Sequence, residues 1–318
     1  MFFNKKATSE RYSQSNIITK RPFSWQRTFH AVKHDSFAWL LIAPSLIFLF
    51  IFGWAPLVQG VQTAFYQTEG FELVKFIGLQ NFREVMSDSI FLTAAKNTFT
   101  YAIWSVAFFF IPVIVAIILN EMAFMKNFFR MAIYFPCLVP GIVTALMWKI
   151  MLDPSKIGLF NIILMNMGME NPLPFLQDPK VTIMLIMLTG VWGGYGSTVI
   201  LYLADLQSVN LDLYEAAALD GAGVLRKVWH ITLPHMSALV RLFFIMNVIG
   251  IFQIFAQPLA MTQGGPSNAS LSLQLMAYRY AFDQFRIGRS TAVSVITMVF
   301  LLILTAIYFR VSKASETE

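Results

Sequence analysis

Six stretches of this chain stay apolar for about 20 residues or longer, and that repetition constrains the fold more than any other feature. They lie near Ala38–Val61, Leu92–Leu119, Met131–Leu152, Val181–Leu203, Ala238–Leu259 and Ser290–Phe309. Lipid offers no partner for a free backbone N–H or C=O, so a segment of this kind crosses the hydrocarbon layer only as a helix. Composition agrees. Of 318 residues 57% are hydrophobic and only 13% charged, with a mean hydropathy of +0.63, which is more apolar surface than a soluble domain can hide behind a polar shell. The prediction is an all-α integral membrane protein with six transmembrane helices in a lipid bilayer.

Charge sets the orientation. Lys5, Lys6, Arg11, Lys20, Arg21, Arg27 and Lys33 crowd the segment 1–37, and such a density of Lys and Arg beside a span marks the cytoplasmic side. An even number of crossings returns the other terminus to that side, so both N- and C-termini are expected in the cytoplasm. The organisation that follows is a basic tail (1–37), a first helix (38–61), an extracytoplasmic loop (62–91), a five-helix region (92–309) with a cytoplasmic loop at 204–237, and a short tail (310–318). The first span starts after a long polar tail and lacks a small-residue cleavage site, so it reads as a retained anchor. The net charge of +6 traces no stripe along a groove, so nucleic acid is not an expected partner.

Several chemistries are excluded by absence. No glycine is followed directly by lysine, so there is no phosphate-binding loop, and ATP hydrolysis cannot reside here through that motif. The four histidines form no zinc or nucleophile pattern, and the single cysteine, Cys137, sits in an apolar run where core packing is its simplest role. No catalytic residue, metal site or cofactor is expected. Charged residues within the spans are Lys96, Lys149 and Arg241, all near span ends, which argues against an ion-coupled carrier.

The loop 204–237 is polar yet rich in helix formers. Asp212 is placed to cap a helix whose Glu215 reaches back to it, and Ala216, Ala217, Ala218 and Leu219 make that helix slim. Gly221 and Gly223 follow Asp220, where a helix commonly ends in a left-handed residue. A second helical piece, Val224–Ile231, is expected to stop at Pro234, which starts the fifth span. Local chemistry thus predicts a helix-turn-helix knob on the membrane face.

The pattern Glu215-Ala-Ala, Gly221, Ile231-x-Leu233-Pro234 resembles the cytoplasmic motif of the permease subunits of binding-protein-dependent ABC importers. The resemblance runs along nearly the whole chain after the tail. Ala43-Pro-Ser45, Ile77-Gly-Leu-Gln-Asn-Phe82, Asn97-Thr98 and Thr262-Gln-Gly-Gly-Pro266 are similar to the carbohydrate branch, in particular its maltose-type and glycerol-phosphate-type first permeases. It implies a type I ABC importer permease fold in the bacterial cytoplasmic membrane. It also implies a second, related permease as heterodimer partner, a cytoplasmic ATPase dimer and an extracytoplasmic substrate-binding lipoprotein. The implied function is one half of a pore that takes up a sugar or oligosaccharide by alternating access. A polyol or glycerol-phosphate-type solute, or a non-conducting sensor that docks an ATPase, are the alternatives. The ATPase-coupling residues implied by position are Tyr214, Glu215, Ala216, Ala217, Asp220, Gly221, Ile231 and Pro234.

A sugar path needs hydrogen-bonding groups and aromatic faces within the bundle. Thr189–Thr198 places Gly190, Trp192, Gly193, Gly194, Tyr195 and Ser197 in the middle of the fourth span, where glycine serves either close helix packing or ligand approach. In the fifth span the resemblance implies Gly250, Gln253 and Ile254 by position, with Asn247 a neighbour on the same helix, and Gln253 is the strongest candidate because isoleucine cannot bond a hydroxyl.

Overall fold

The computed structural model describes residues 36–122 and 124–315, and the chain separates into two compact units, Met1–Gln59 and Gly60–Glu318. The basic cluster of the tail lies outside the described residues. In the first unit α1 (Ser36–Leu49) runs through a wide turn at Phe50–Trp54 into α2 (Ala55–Thr63). No residue from 37 to 58 is buried, and Trp39, Leu40, Phe48 and Phe52 are exposed around the helix. A helix apolar on every side is matched to lipid.

The second unit opens with a hairpin absent from an all-helical expectation, β1 (Tyr66–Glu69) antiparallel to β2 (Glu72–Phe76), with Tyr66 opposite Phe76. Gly70, at φ +60°, makes its turn. α3 (Gln80–Ser87) follows, and its buried Asn81 donates to the carbonyls of Ala64 and Tyr66 at 3.0 and 2.9 Å. α4 (Ser89–Phe108), capped by Asp88 through the Ile90 N–H, continues into α5 (Ile111–Glu121).

The expected third span is not one helix. α6 (Lys126–Tyr134) and a tight turn at Phe135–Leu138 meet α7 (Gly141–Met151) at 95°. Pro140 is the cause. The residue before proline is pushed out of helical geometry, and Val139 is extended at φ −81°, ψ 129°. Counting that bent pair as one crossing, the described residues hold six membrane-length apolar elements; otherwise they hold five.

α8 (Leu159–Asn166) lies in the connection before α9 (Thr182–Leu206), the fourth span. Asn161, fully buried, organises that connection: its amide donates to the carbonyls of Asp153, Ser155 and Leu173, and its oxygen accepts from Leu173 N–H at 2.8 Å. Next come α10 (Leu211–Leu219), α11 (Val224–Lys227) and α12 (Leu233–Phe252).

The fifth span departs from its expected limits at both ends. It is helical from Val224, because a wide turn at Val228–Thr232, closed by Leu233 N–H to the Val228 carbonyl, carries the chain past Pro234 without a break. At the other end it stops at Phe252. Pro258 would clash with the Ile254 carbonyl in a continuous helix, so the chain opens at Gln253–Phe255 and restarts as α13 (Ala256–Thr262). α14 (Leu273–Tyr278) and α15 (Ile287–Ser315) complete the unit.

Three apolar clusters stack along this unit. One, around Phe82, Val85, Leu275 and Val293, joins α3, α14 and α15. A middle one gathers Tyr101, Ile186, Met187, Ile251, Phe252 and Met261. The third, with Val113, Tyr202, Leu206 and Met236, joins α5, α9 and α12.

Candidate functional site

At one end of α9 the loop 204–237 forms the anticipated knob. Its cap is Asn210, whose side chain accepts from Asp212 N–H at 3.0 Å, and not Asp212 itself. The side chain that satisfies the first free N–H groups stands one residue before the helix, and Asp212 already lies inside the first turn. The other end closes as a Schellman motif: Ala222 N–H reaches the Ala217 carbonyl at 2.9 Å and Gly221 N–H the Ala218 carbonyl at 3.0 Å. Gly221 carries the left-handed residue at φ +73°, whereas Gly223, at φ −70°, caps α11.

Polar contacts tie the knob to the wide turn at Val228–Thr232, and the segment leading into the knob to α12. Tyr214 Oη lies 2.9 Å from the buried Thr232 Oγ1, and His235 Nε2 lies 3.1 Å from Ser208 Oγ and 3.8 Å from Asp205. Glu215, Ala216, Asp220 and Pro234 are exposed, and Ala217 and Ile231 half-buried. Glu215 makes no hydrogen bond or ion pair among the described residues. The apolar side chains here are unusually bare: Leu219 is 90% exposed, Leu225 76% and Trp229 67%.

Toward the middle of α9 the predicted residues divide. Gly190, Tyr195, Asn247, Gly250, Gln253 and Ile254 do converge, lining one cleft of about 430 Å³ between α9 and the end of α12. A Cβ on Gly190 or Gly250 would meet nothing within 4 Å, so these glycines face open space. Trp192, Gly193, Gly194 and Ser197 do not join them. Trp192 packs edge-on to Trp148 of α7, and a Cβ on Gly193 would press on Thr144 Cγ2 at 3.1 Å. Gly196 is the tightest position, since a Cβ there would lie 2.2 Å from the Ile133 carbonyl and 2.9 Å from Cys137 Sγ. It lets α6 and α9 touch.

Polar groups in the cleft are partly committed. Asn247 Nδ2 donates to Ser105 Oγ at 2.6 Å, fastening α12 to α4, and Gln253 Nε2 leans on the Ile249 carbonyl at 3.5 Å. The remaining lining is mostly aliphatic, including Ile186, Val191 and Ile251.

A second cavity, about 630 Å³ in volume, was not anticipated. It lies at the other end of α9, lined by Lys149, Asp153, Gln177, Thr262, Gln263 and Pro266 over a floor of Leu152, Leu176 and Met261. One wall is the loop after α13, where Gln263, Ser267 and Asn268 all adopt left-handed backbone at φ 51°, 47° and 63°. Non-glycine residues there cost about 1 kcal/mol each, so neighbours must hold them. Arg279 does so from the Gln263 carbonyl and, at 3.1 Å, Asn268 Oδ1. Asn97 donates to the carbonyls of Asn268 and Leu271, and Tyr101 to that of Ser270. The local signal, Gly264-Gly265-Pro266, was visible in sequence; its partners on other elements were not.

The family model for binding-protein-dependent transport system inner membrane components matches residues 109–316, which takes in the knob and both cavities. The chain belongs to that family: it is a multi-pass inner-membrane subunit of a transport system and not an enzyme. It is 30% identical over 285 residues to the probable ABC transporter permease protein YurN of Bacillus subtilis, covering 88% of this chain and 97% of the relative. The arabinooligosaccharides transport system permease protein AraP of the same organism is 27% identical, with 92% and 93% covered. A chain of a bacterial alginate ABC transporter, solved in complex with an alginate pentasaccharide-bound periplasmic protein, superposes with a TM-score of 0.80 at 23% identity, over 91% of this chain and 98% of that one.

Proposed function

We propose that this chain is one of two permease subunits lining the pore of an ATP-driven importer for a sugar or oligosaccharide, and that the knob at 210–223 couples it to a separate ATPase. The knob carries the reading. A short helix closed at both ends, with Leu219 bare and Glu215 unpaired, and with Leu225 bare on α11 just beyond it, presents apolar contact area and one charge on a rigid support. A cleft on a cytoplasmic ATPase dimer receives it, and closure of that dimer swings α9 and α12 between outward-open and inward-open arrangements. Both termini then lie on the cytoplasmic side, as the charge bias supports. An extracytoplasmic binding protein delivers solute to the opposite end, where a sister permease completes the pore.

Carbohydrate as the cargo is supported by AraP, a permease of arabinooligosaccharide transport, and by the fold shared with the alginate transporter. Within this subunit the mid-span cleft with Gly190, Tyr195, Gly250 and Gln253 lies on the solute path.

The deciding experiment co-expresses the chain with its sister permease, ATPase and binding protein, and measures ATPase co-purification and sugar uptake in proteoliposomes. Glu215→Ala and Gly221→Asp are expected to insert normally yet lose the ATPase and uptake together. Wild-type uptake in both variants would reject the coupling role, and uptake by this chain alone would reject the subunit reading. Gln253→Leu should lower the uptake rate or change which sugar is preferred.

A further inference from the structure

The two cavities differ in the character of their walls. In the mid-span cleft Asn247 is spent on Ser105 and Gln253 leans on its own helix, and Tyr195 and Gln257 are set among aliphatic side chains. In the cavity at the other end of α9, the side-chain amides of Gln177 and Gln263 make no hydrogen bond among the described residues. Lys149 Nζ reaches only the Ala260 carbonyl, at 3.4 Å, and has no carboxylate within ion-pair distance. Asp153 lines the same cavity beyond ion-pair distance of Lys149, its Oδ1 accepting from the Ser155 backbone N–H at 2.9 Å and from the Ser155 hydroxyl.

Two unpartnered amides and an ammonium held by one long contact, from three separate segments, therefore converge on one cavity of about 630 Å³, a volume within the range of small-molecule sites. Gln263 stands on the left-handed stretch braced by Arg279, and a strained segment held by its surroundings is characteristic of binding sites. Beneath them Met261 and Leu176, 2% and 7% exposed, form an apolar floor. Met261 Sδ accepts from Thr189 Oγ1 at 3.6 Å, next to Gly190 of the cleft, so one packed layer separates the two spaces in series.

We propose that this outer cavity is a second saccharide subsite, in which Lys149, Gln177 and Gln263 bond ring hydroxyls or a sugar carboxylate before solute passes Met261. The inference rests on the importer reading and places this subunit's sugar discrimination at the pore mouth, ahead of the cleft. An ammonium makes a charge-assisted bond to a hydroxyl and adds direct ionic attraction to a carboxylate, so the charge of the sugar is the variable to test.

The test uses the whole complex in lipid nanodiscs. Lys149 is modified with a water-soluble amine reagent, and its rate is read by mass spectrometry with no sugar, with millimolar maltotriose and with millimolar trigalacturonate. Several-fold slower modification is expected with at least one sugar. Maltotriose protection identifies hydroxyl recognition, and protection by trigalacturonate alone identifies carboxylate recognition. Protection by neither, or a Lys149 unreactive without sugar, overturns the site. In the double variant Gln177→Leu with Gln263→Gly, which keeps the left-handed backbone permissible, protection should need about tenfold more sugar, as the loss of two neutral hydrogen bonds implies. Unchanged protection there removes the amides from the site. Uptake of a sugar that leaves Lys149 modification untouched overturns the subsite and keeps the importer; protection without uptake by the complete system does the reverse.

Discussion

The two ends of α9 are built on different principles. At the Thr182 end, order comes from side chains that bond backbone carbonyls of separate loop segments: Asn161 gathers Asp153, Ser155 and Leu173, and Asn97, Tyr101 and Arg279 pin the loop after α13. At the Leu206 end, the helix of the knob is closed locally, by the Asn210 side chain on Asp212 N–H and by the Schellman turn at Gly221, while Tyr214 and Ser208 each meet one further side chain, Thr232 and His235. Removing one clamp of the first kind unsettles a region, whereas removing one closure of the second kind frays a turn. The contrast suits a molecule that must hold a mouth open to solvent at one end and present a small stiff projection at the other.

The sharpest way to break this comparison is Asn161→Ala. It removes a fully buried side chain together with its part-buried bonds to three carbonyls and one N–H, and should cost about 2–4 kcal/mol, seen as a lower unfolding midpoint and faster proteolysis between Asp153 and Leu173. Next in size is Gly221→Ala. A Cβ at φ +73° costs about 1 kcal/mol or somewhat more, and the expected result is faster hydrogen exchange confined to α10 with the global midpoint unmoved. A global shift as large as that of Asn161→Ala would erase the distinction between the two ends. Asn210→Ala should cost about 1 kcal/mol at the opposite end of the same helix, read by the same exchange experiment.

The smallest effect concerns acid. Glu84 carries a carboxyl held below its ordinary value of 4.5, chiefly by the hydrogen bond from Gln80 and then by Arg289, with which it forms an ion pair. A depressed folded-state value means that this pairing contributes stability above the ordinary glutamate value, and the contribution disappears as pH falls through the lowered one. Glu84→Gln should therefore flatten the acid limb of the stability curve and leave the neutral range nearly unchanged. Acid curves of the two proteins that superimpose would show the pair to be stabilising nothing.

Legibility in sequence followed the same division. The spans were readable because apolar length is a local property, and the turn at Gly221 because glycine after an alanine helix is a local signal. The Asn210 cap was misplaced by two residues, since Asp212 and Glu215 offered an equally plausible pattern one half-turn later. The bend of the third span was carried by Pro140 and the early end of the fifth by Pro258, yet hydrophobicity alone ran straight through both. The hairpin at 66–76 was hidden inside a loop with few strand-like alternations. The outer cavity was illegible for a stronger reason: Lys149, Gln177 and Gln263 belong to segments brought together only by packing of α7 and α13 against α9. Half of the α9 glycine stretch proved to be packing, which residue type could not separate from ligand approach.

The doubly closed knob has a thermodynamic consequence. A segment whose end groups are already satisfied loses little conformational freedom when a surface closes over it, so association should carry a small ordering penalty. The favourable part then comes from dehydrating Leu219, Leu225 and Trp229, and calorimetry of docking should report a negative heat-capacity change with only a modest enthalpy near room temperature. Grip of that kind weakens on cooling. Under the proposed coupling role, a chilled membrane would loosen the transmission between fuel and pore before the pore itself loses its fold.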